Sequence, residues 1–561
     1  MLIMNKYSFI IFEDYCIRHE NRKVNMQQDK YDAVVIGAGH NGLVAACYLQ
    51  RAGLKVLVLE RNSYIGGATT SISRYEDFTY SNCSYVYSLF RQEIARSLEL
   101  YKYGLQVIPY EGGAQIIKNP DGTYDSMGTY WHEDAVRRDL ERFSTRDANA
   151  FDRLSRDIYR QCDFIKPLLM RTPPDPTSFK PRDLMELLYL GKRFYGLGEE
   201  RMLETIRFYT MSVGDYLNEY LENDALKSYM AGGATVGTAL GVYSPGTAYI
   251  LLHHAMGDID GTVGAWGFAR GGMGAVSKAL NDSFLASGGT VRVNAGVEKF
   301  IVERGKVKGM QLENGEIIDT KLVVSGMDLR RTFNAIDPNE LPQWVVDRAK
   351  NFRFRGSSGK VNIALSGVPT FHGIPKNSPS MKGDLHISQN MDELELAYDD
   401  WKAGRWSKNP YLDILIPSLI DPTMTPEGKH WMSVFTQYCP YKLAEGEWNE
   451  QRKQAFGQHI VDCISAYSPD LKDKILHMEI RTPKDIEDET GLTEGNIFQG
   501  ELTMDQLMFN RPIPGYAQYR SPISGLYMCG SSTHPGGGVM GAPGANAARE
   551  VMLDLGKRIK S

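Results

Sequence analysis

Three glycines and a carboxylate carry the first chemical signal in the chain. Gly37, Gly39 and Gly42 fall as Gly-x-Gly-x-x-Gly in GAGHNG, and Glu60 closes the apolar run VLVLE. A bound dinucleotide needs a tight turn, a backbone that can approach its diphosphate, and a helix packed close on a strand. The three glycines meet these needs in that order. The helix beginning there, with Asn41 in its first turn, directs free N–H groups and a partial positive charge toward the phosphates. Glu60 can accept hydrogen bonds from the adenosine ribose hydroxyls and would repel a 2′-phosphate. His40 reads as a polar helix-start residue in preference to a group that tunes the cofactor.

Two further stretches extend this site. Beyond Glu60, Arg61 leads to Gly66-Gly67-Ala68, where the glycine pair lets backbone run beside a planar group or its phosphate chain. Near the other end lies CGSSTHPGGGVMGAPGANAAREV, from Cys529 to Val551. Gly530 and Ser531 would pass the diphosphate and ribityl region. Gly536 to Gly538, followed by Val539 and Met540, lead into a helix whose first N–H groups could face a flavin's pyrimidine edge. A simple NAD dehydrogenase needs neither stretch, so FAD is the expected cofactor.

The elements that must hold these residues are legible around them. Ala33–Ile36 is a continuous apolar run, as expected of a parallel strand buried on both faces. Gly42, Ala45, Ala46 and Leu49 place a small-residue face of the next helix against the sheet. Gly53 ends that helix, Val56–Leu59 is a second strand, and Leu526 to Cys529 a returning one. Gly271-Gly272-Met273-Gly274 opens a helix through Phe284. Short strands follow near Val291, Val297–Val302, Val307–Leu312 and Leu322–Val324, with Asn314-Gly315 marking a hairpin.

Composition sets the outer bounds. A chain of 561 residues exceeds one ordinary core, so at least two domains are expected. Its 63 Lys and Arg against 68 Asp and Glu, with no long basic run, argue against nucleic acid as a partner. Seven scattered cysteines without a CxxC read as neither a disulfide framework nor a zinc site, and argue against thioredoxin-reductase-type dithiol chemistry. No stretch approaches the roughly 20 apolar residues of a spanning helix. Residues 1–30 read as a disordered extension or an upstream start before Met26. A cytoplasmic protein is expected, in the mitochondrial matrix if eukaryotic, with peripheral membrane contact as an alternative.

The segments YDAVVIGAGHNGLVAACYLQ, LERNSYIGGA, GAWGFARGGMGAVSKAL and LYMCGSSTHPGGGVMGAPGANAA resemble the phytoene desaturase-type FAD-dependent oxidoreductases. AYILLHHAMG, SVFTQYCPY and GNIFQGELTMDQLMFNRP extend that resemblance over nearly everything after Tyr31. It implies an α/β fold in which a Rossmann-like FAD-binding domain interleaves with a mixed α+β substrate domain, as in amine oxidases and phytoene desaturases. The FAD domain would comprise 31–145, 265–335 and 500–561, and the substrate domain 146–264 and 336–499. The resemblance also implies that the strands after Val291 pack back on the FAD sheet, with the Val297 backbone pairing with adenine. Many of these relatives place Arg, which helps hold the FAD phosphates, where this chain has Ala68. That contact would pass to Arg61 or to backbone.

Between about Arg146 and Gly264 the texture is helical. Leu154, Ile158, Cys162, Ile165 and Leu169 form one apolar stripe, interrupted by Pro167. Leu184, Leu187 and Leu188 form a second, continuing to Phe194 and Tyr195 beside Lys192 and Arg193. Core packing is the favoured reading of that second stripe, and docking on a membrane to collect a lipid the alternative. Val361–Leu365, Tyr411–Ile416 and Met432–Phe435 read as strands and Glu393–Lys402 as a helix, roofing the flavin. His253-His254 reads as packing, His534 equally as a flavin neighbour or a loop-ordering group, and no general base is assigned. The leading function is dehydrogenation or saturation of a hydrophobic polyene, isoprenoid or lipid-like substrate by hydride transfer to or from flavin. The electron acceptor would be oxygen, a quinone or NAD(P). A redox-neutral polyene isomerase and a non-catalytic, FAD-stabilised interaction protein are the alternatives.

Overall fold

The computed structural model describes residues 31–130 and 133–557, so the expected extension 1–30 lies outside the described residues. Five parallel strands form the first sheet, in the spatial order Thr290–Arg292, Val56–Leu59, Ala33–Ile36, Val323–Ser325, Leu526–Met528. Both faces are covered, which is why Ala33–Ile36 and Val56–Leu59 carry no polar residue. One face packs on helix α1 (His40–Arg51) and on the Gly274–Ala286 helix through Val35, Leu43, Val44 and Leu280. The other packs on a three-stranded antiparallel sheet, Val297–Glu303, Lys306–Leu312 and Ile317–Asp319, through Leu57, Phe300 and Met310. Asn314-Gly315 turns the hairpin between its last two strands.

The helical block begins in earnest with α2 (Thr145–Leu169), whose stripe Leu154, Ile158, Cys162, Ile165, Leu169 is buried. Contrary to the reading from sequence, Pro167 does not interrupt this helix. The proline removes the N–H that would pair with the Asp163 carbonyl, and the Arg193 guanidinium donates to that carbonyl instead at 2.6 Å. Helix α3 (Pro181–Tyr195) supplies that arginine and is itself built inside out. Leu184, Met185, Leu188 and Tyr195 are 47, 65, 72 and 79% exposed, so the second stripe is not core. Polar side chains hold the opposite face: Arg182 donates to Glu550 at 2.7 Å, Gln518 to Asp183 at 2.7 Å, and Arg171 to Glu186 at 2.7 Å. These tethers, not the apolar stripe, set the helix's orientation.

A seven-stranded mixed sheet stands opposite the first, ordered Ile475–Arg481, Ser358–Leu365, His430–Gln437, Tyr411–Leu415, Leu385–Ile387, Gly112–Lys118, Tyr124–Tyr130. Residues 112–130, assigned from sequence to the cofactor side, therefore hydrogen-bond into the other sheet. Strict alternation gives this sheet two unlike faces. Val361, Ile363, Leu412, Ile414 and Val434 pack on Phe456 and Ile460 of the Glu450–Ser465 helix. On the other face, pairing aligns His386 with Asp413, Asp413 with Phe435, and Phe435 with Lys360. Four neighbouring strands thus present one row of mostly ionisable side chains toward the cofactor side. The chain closes with α4 (Ala542–Asp554).

Candidate functional site

A single cavity of about 710 Å³ reaches from the Gly37 turn to the His386–Lys360 row. At its nucleotide end, Gly37 adopts φ +88° and a Cβ on Gly42 would lie 2.1 Å from the Gly37 carbonyl oxygen, which accounts for both glycines. A Cβ on Gly39, in contrast, would meet no protein atom within 4 Å. That is the space a diphosphate would need. Gly39 is also the N-cap of α1, which has no side-chain cap and no acidic residue in its first turn, leaving its N–H groups for an anion. Glu60 is fixed by N–H donors of Ala38 at 2.8 Å and Asn62 at 2.9 Å, one on each oxygen, with lone pairs left for a ribose.

The Gly66-Gly67 pair folds directly onto this turn. Gly66 N–H donates to the Ala38 carbonyl at 2.9 Å, and its φ of +113° with Thr69 O only 2.6 Å from a built Cβ excludes other residues. The closing loop completes the enclosure: Asn41 Nδ2 donates to Ser531 Oγ at 3.0 Å across 490 positions. A Cβ on Gly544 of α4 would lie 2.2 Å from the Asn41 carbonyl oxygen, so the two helix starts touch. Of the residues expected from sequence, Gly37, Gly39, Asn41, Gly42, Glu60, Arg61, Gly66, Gly67, Ala68, Val297, Ser531, Gly538 and Val539 line the cavity.

Gly530 and Met540 lie outside that lining. Gly530 packs instead against the carbonyls of Gly326 and Met327, 2.8 and 2.7 Å from a built Cβ, and the buried Met540 accepts a hydrogen bond from Arg91 N–H at 3.0 Å. The last helix also begins later than expected, at Ala542 after Gly541 with φ +74°, so Gly536–Gly538 form a turn and not a helix entry. Arg61 lines the cavity, but its guanidinium donates to the carbonyls of Asp488 and Glu489, at 3.0 Å each, so it does not replace the arginine missing at Ala68. Backbone N–H groups are left to hold the phosphates.

The histidines sort out on geometry. Burial pushes His40 and His534 down to about 4, and both are neutral. His534 shares a hydrogen bond with the Leu168 carbonyl at 3.0 Å, which favours the loop-ordering reading. His254 lines the cavity with its Nδ1 3.0 Å from the Ile250 carbonyl oxygen, and both ring nitrogens of the buried His253 are without a partner among the described residues. Cys83 lines the cavity, but burial pushes its thiol up and it has no disulfide partner among the described residues.

The sequence reading missed the far end. Lys360 is 2% exposed, and its Nζ donates to the carbonyls of Ser81 at 2.6 Å and Cys83 at 3.0 Å. Burial pushes it down to about 7. Next along the row, burial raises Asp413 to about 6 against the opposing pull of His386. Burial disfavours the His386 imidazolium, yet Asp384, 3.0 Å from its Nε2, holds it above the usual histidine range. Between the two ends, Ile158, Met230, Leu251, Trp266 and Phe498 form an apolar wall. The alternation in GKVNIAL and YLDIL marks these positions as one face of strands, and that was the available signal.

Lys360 supports a pH prediction. Its folded value lies below its unfolded value of about 10.5, so the unfolded chain binds the extra proton between those limits. The burial penalty is full below pH 7 and is relieved as pH rises toward 10.5, so this group makes stability climb over that window. Denaturant titrations of Lys360→Met are expected to show a flatter climb than wild type between pH 7 and 10. Parallel curves would mean that Lys360 remains charged in the folded protein.

The chain matches the NAD(P)-binding Rossmann-like domain family over residues 35–103. It is 38% identical over 551 residues to pyridine nucleotide-disulfide oxidoreductase domain-containing protein 2 of Mus musculus, covering 94% of each chain. It is 26% identical to prolycopene isomerase 2, chloroplastic, of an Oncidium hybrid cultivar, over 94% of this chain and 85% of that one. Among solved structures, a putrescine oxidase redesigned in its cofactor binding superposes with a TM-score of 0.57 at 13% identity, covering 94% of this chain and 98% of the other. That last likeness shows the fold. No helix among the described residues is long and apolar enough to cross a membrane.

Proposed function

Because the chain belongs to the pyridine nucleotide-disulfide oxidoreductase domain-containing protein 2 family of phytoene desaturase-type FAD-dependent oxidoreductases, we propose that it dehydrogenates or saturates a largely apolar substrate using FAD. The observation that carries this reading is one continuous cavity with a nucleotide turn at one end, an apolar wall along its length and a closing loop beside both. The Asn41–Ser531 link brings the closing loop against the first turn and supplies a second wall for the cofactor's distal half. FAD, when bound, supplies the hydride acceptor or donor. The protein's own residues orient and exclude. The α1 N-terminus and Gly39 receive the diphosphate, Glu60 the ribose, and Ile158, Leu251 and Phe498 keep water from the reacting chain. Electrons would leave to oxygen, a quinone or transiently bound NAD(P). The family name mentions disulfides, but among the described residues Cys83 is the one cysteine lining this cavity.

The test is the visible spectrum of the protein purified without added cofactor, with identification of any released flavin. A flavin spectrum with FAD released supports the reading, and a colourless protein that also takes up no FAD overturns it. Similarity to a prolycopene isomerase favours redox-neutral isomerisation as a second reading. Acceptor consumed in proportion to product excludes it, and turnover without acceptor selects it.

We further propose that the outward apolar face of α3 meets a lipid surface. Among the described residues nothing covers Leu184, Met185 and Leu188, and the exposed Lys192 follows along the helix. Sedimentation with anionic phospholipid vesicles should fall at least about fivefold in Met185→Glu/Leu188→Glu. Melting should stay within about 0.5 kcal/mol of wild type per substitution, as for other exposed sites. Unchanged sedimentation would remove the membrane from the account.

A further inference from the structure

The sheet end of the cavity is not built for a hydrocarbon. Tyr110 is 8% exposed, lines the cavity, and its hydroxyl has no hydrogen-bond partner. Asp413 faces the same end. Its Oδ2 accepts a hydrogen bond from Tyr85 at 2.5 Å, while its Oδ1 is buried without a partner, 3.7 Å from His386 Nε2 and too far to be satisfied by it. His386 is itself occupied by Asp384 at 3.0 Å and stacked by Tyr229 at a ring separation of 4.9 Å. So one donor, the Tyr110 O–H, and one acceptor, Asp413 Oδ1, are left open in a buried place. Native proteins seldom leave such groups unpaired, and a hydrocarbon end packed against them would keep both unsatisfied.

Resting on the reading of this cavity as a substrate site, we propose that the substrate is amphipathic and that a terminal hydroxyl docks between Tyr110 and Asp413. The hydroxyl oxygen accepts from Tyr110 and its hydrogen is donated to Asp413 Oδ1, so one group satisfies both open atoms. A substrate carboxylate would meet the carboxylates of Asp384 and Asp413. An ammonium could donate to Asp413 but would leave the Tyr110 hydrogen without an acceptor. The apolar wall of Ile158, Leu251 and Trp266 then receives the remaining chain. Lys360, two strands beyond Asp413 along the same row, lies outside this contact.

Calorimetric titration of the protein as purified with 1-decanol, its methyl ether and decylamine tests this assignment. The alcohol should bind about tenfold more tightly than the ether, which cannot donate a hydrogen, in line with a hydrogen bond to a charged acceptor. That advantage should shrink in Asp413→Asn with ether binding unchanged, whereas Tyr110→Phe removes a donor that either oxygen can accept from and should weaken alcohol and ether alike, by about threefold. Tyr110→Phe removes a hydroxyl that has no partner, so it should melt no lower than wild type and remains informative if Asp413→Asn folds poorly. Equal binding of alcohol and ether to wild type, tighter binding of the amine, equal losses of alcohol and ether in Asp413→Asn, or unchanged alcohol binding in Tyr110→Phe would overturn the proposal. Flavin absorbance read on the same samples separates a failure here from a failure of the cofactor reading.

Discussion

An alanine at Gly42 should strip the protein of its flavin and lower its melting temperature, whereas an alanine at Gly39 should strip the flavin alone. At Gly42 the added Cβ lands 2.1 Å from the Gly37 carbonyl oxygen and 3.6 Å from a Val35 methyl. The methyl is at ordinary contact distance, but the carbonyl cannot yield, because it belongs to pinned backbone. Gly37 N–H is held by Leu59 O at 2.7 Å, the Ile36 carbonyl by Gly326 N–H at 2.8 Å, and the Ala38 carbonyl by Gly66 N–H at 2.9 Å. Helix α1 must therefore lift from the sheet, at a cost of about 1–3 kcal/mol or more. At Gly39 the residue already has φ −71° and the Cβ projects into open cavity, so the empty fold tolerates it. The same Cβ occupies the place where the diphosphate must approach the backbone. Flavin-to-protein absorbance and the melting temperature of cofactor-free protein measure the two effects separately. A Gly39→Ala protein that purifies with a full complement of flavin would show that the diphosphate does not pass this turn.

These two glycines also show why part of the site was readable. A turn at positive φ, a strand buried on both faces and a helix pressed against it are local requirements, each satisfied within a few residues of Gly37. The strands Ala33–Ile36 and Val56–Leu59 consequently begin and end where the apolar runs do. The row His386, Asp413, Lys360 is different in kind. Its members are separated by 27 and 53 positions and meet through β-pairing alone. Alternation could say that Lys360 and Asn362 share a face, but not that this face looks into the cavity while Val361 and Ile363 look at a helix. Helix α3 shows the converse failure. Its leucine stripe was plain, yet its orientation follows from Arg171, Gln518 and Glu550, which lie on other segments and carry no periodic signal.

Arg511 was given no role from sequence, and its replacement by lysine should be among the most damaging single changes available. The residue is fully buried and gathers two segments around one guanidinium. Nη1 donates to the carbonyls of Glu501 at 3.1 Å and Gln506 at 3.2 Å, Nη2 to those of Phe498 at 2.9 Å and Ser531 at 2.7 Å, and Nε to that of Thr533 at 3.2 Å. Ser531 is the residue that Asn41 holds, so this one side chain fixes the closing loop relative to the nucleotide turn. Burial is severe enough to push the guanidinium down to about 9. The fan of carbonyl dipoles around it and the nearby Glu501 carboxylate compensate. Lysine keeps the charge but concentrates its three donors on one atom, and no single position reaches carbonyls spread over a planar fork. Several buried carbonyls would then lose their partners, each at about 1–3 kcal/mol. A combined loss of about 3–5 kcal/mol is expected, with flavin released as the loop loosens. Thermal melts and flavin content of Arg511→Lys, set beside an exposed Arg207→Lys, read out that loss. Wild-type melting with full flavin would mean that the loop takes its shape from Asn41 and Ser531 without the arginine. A normal melt with flavin lost would locate the whole effect in the closing loop's geometry.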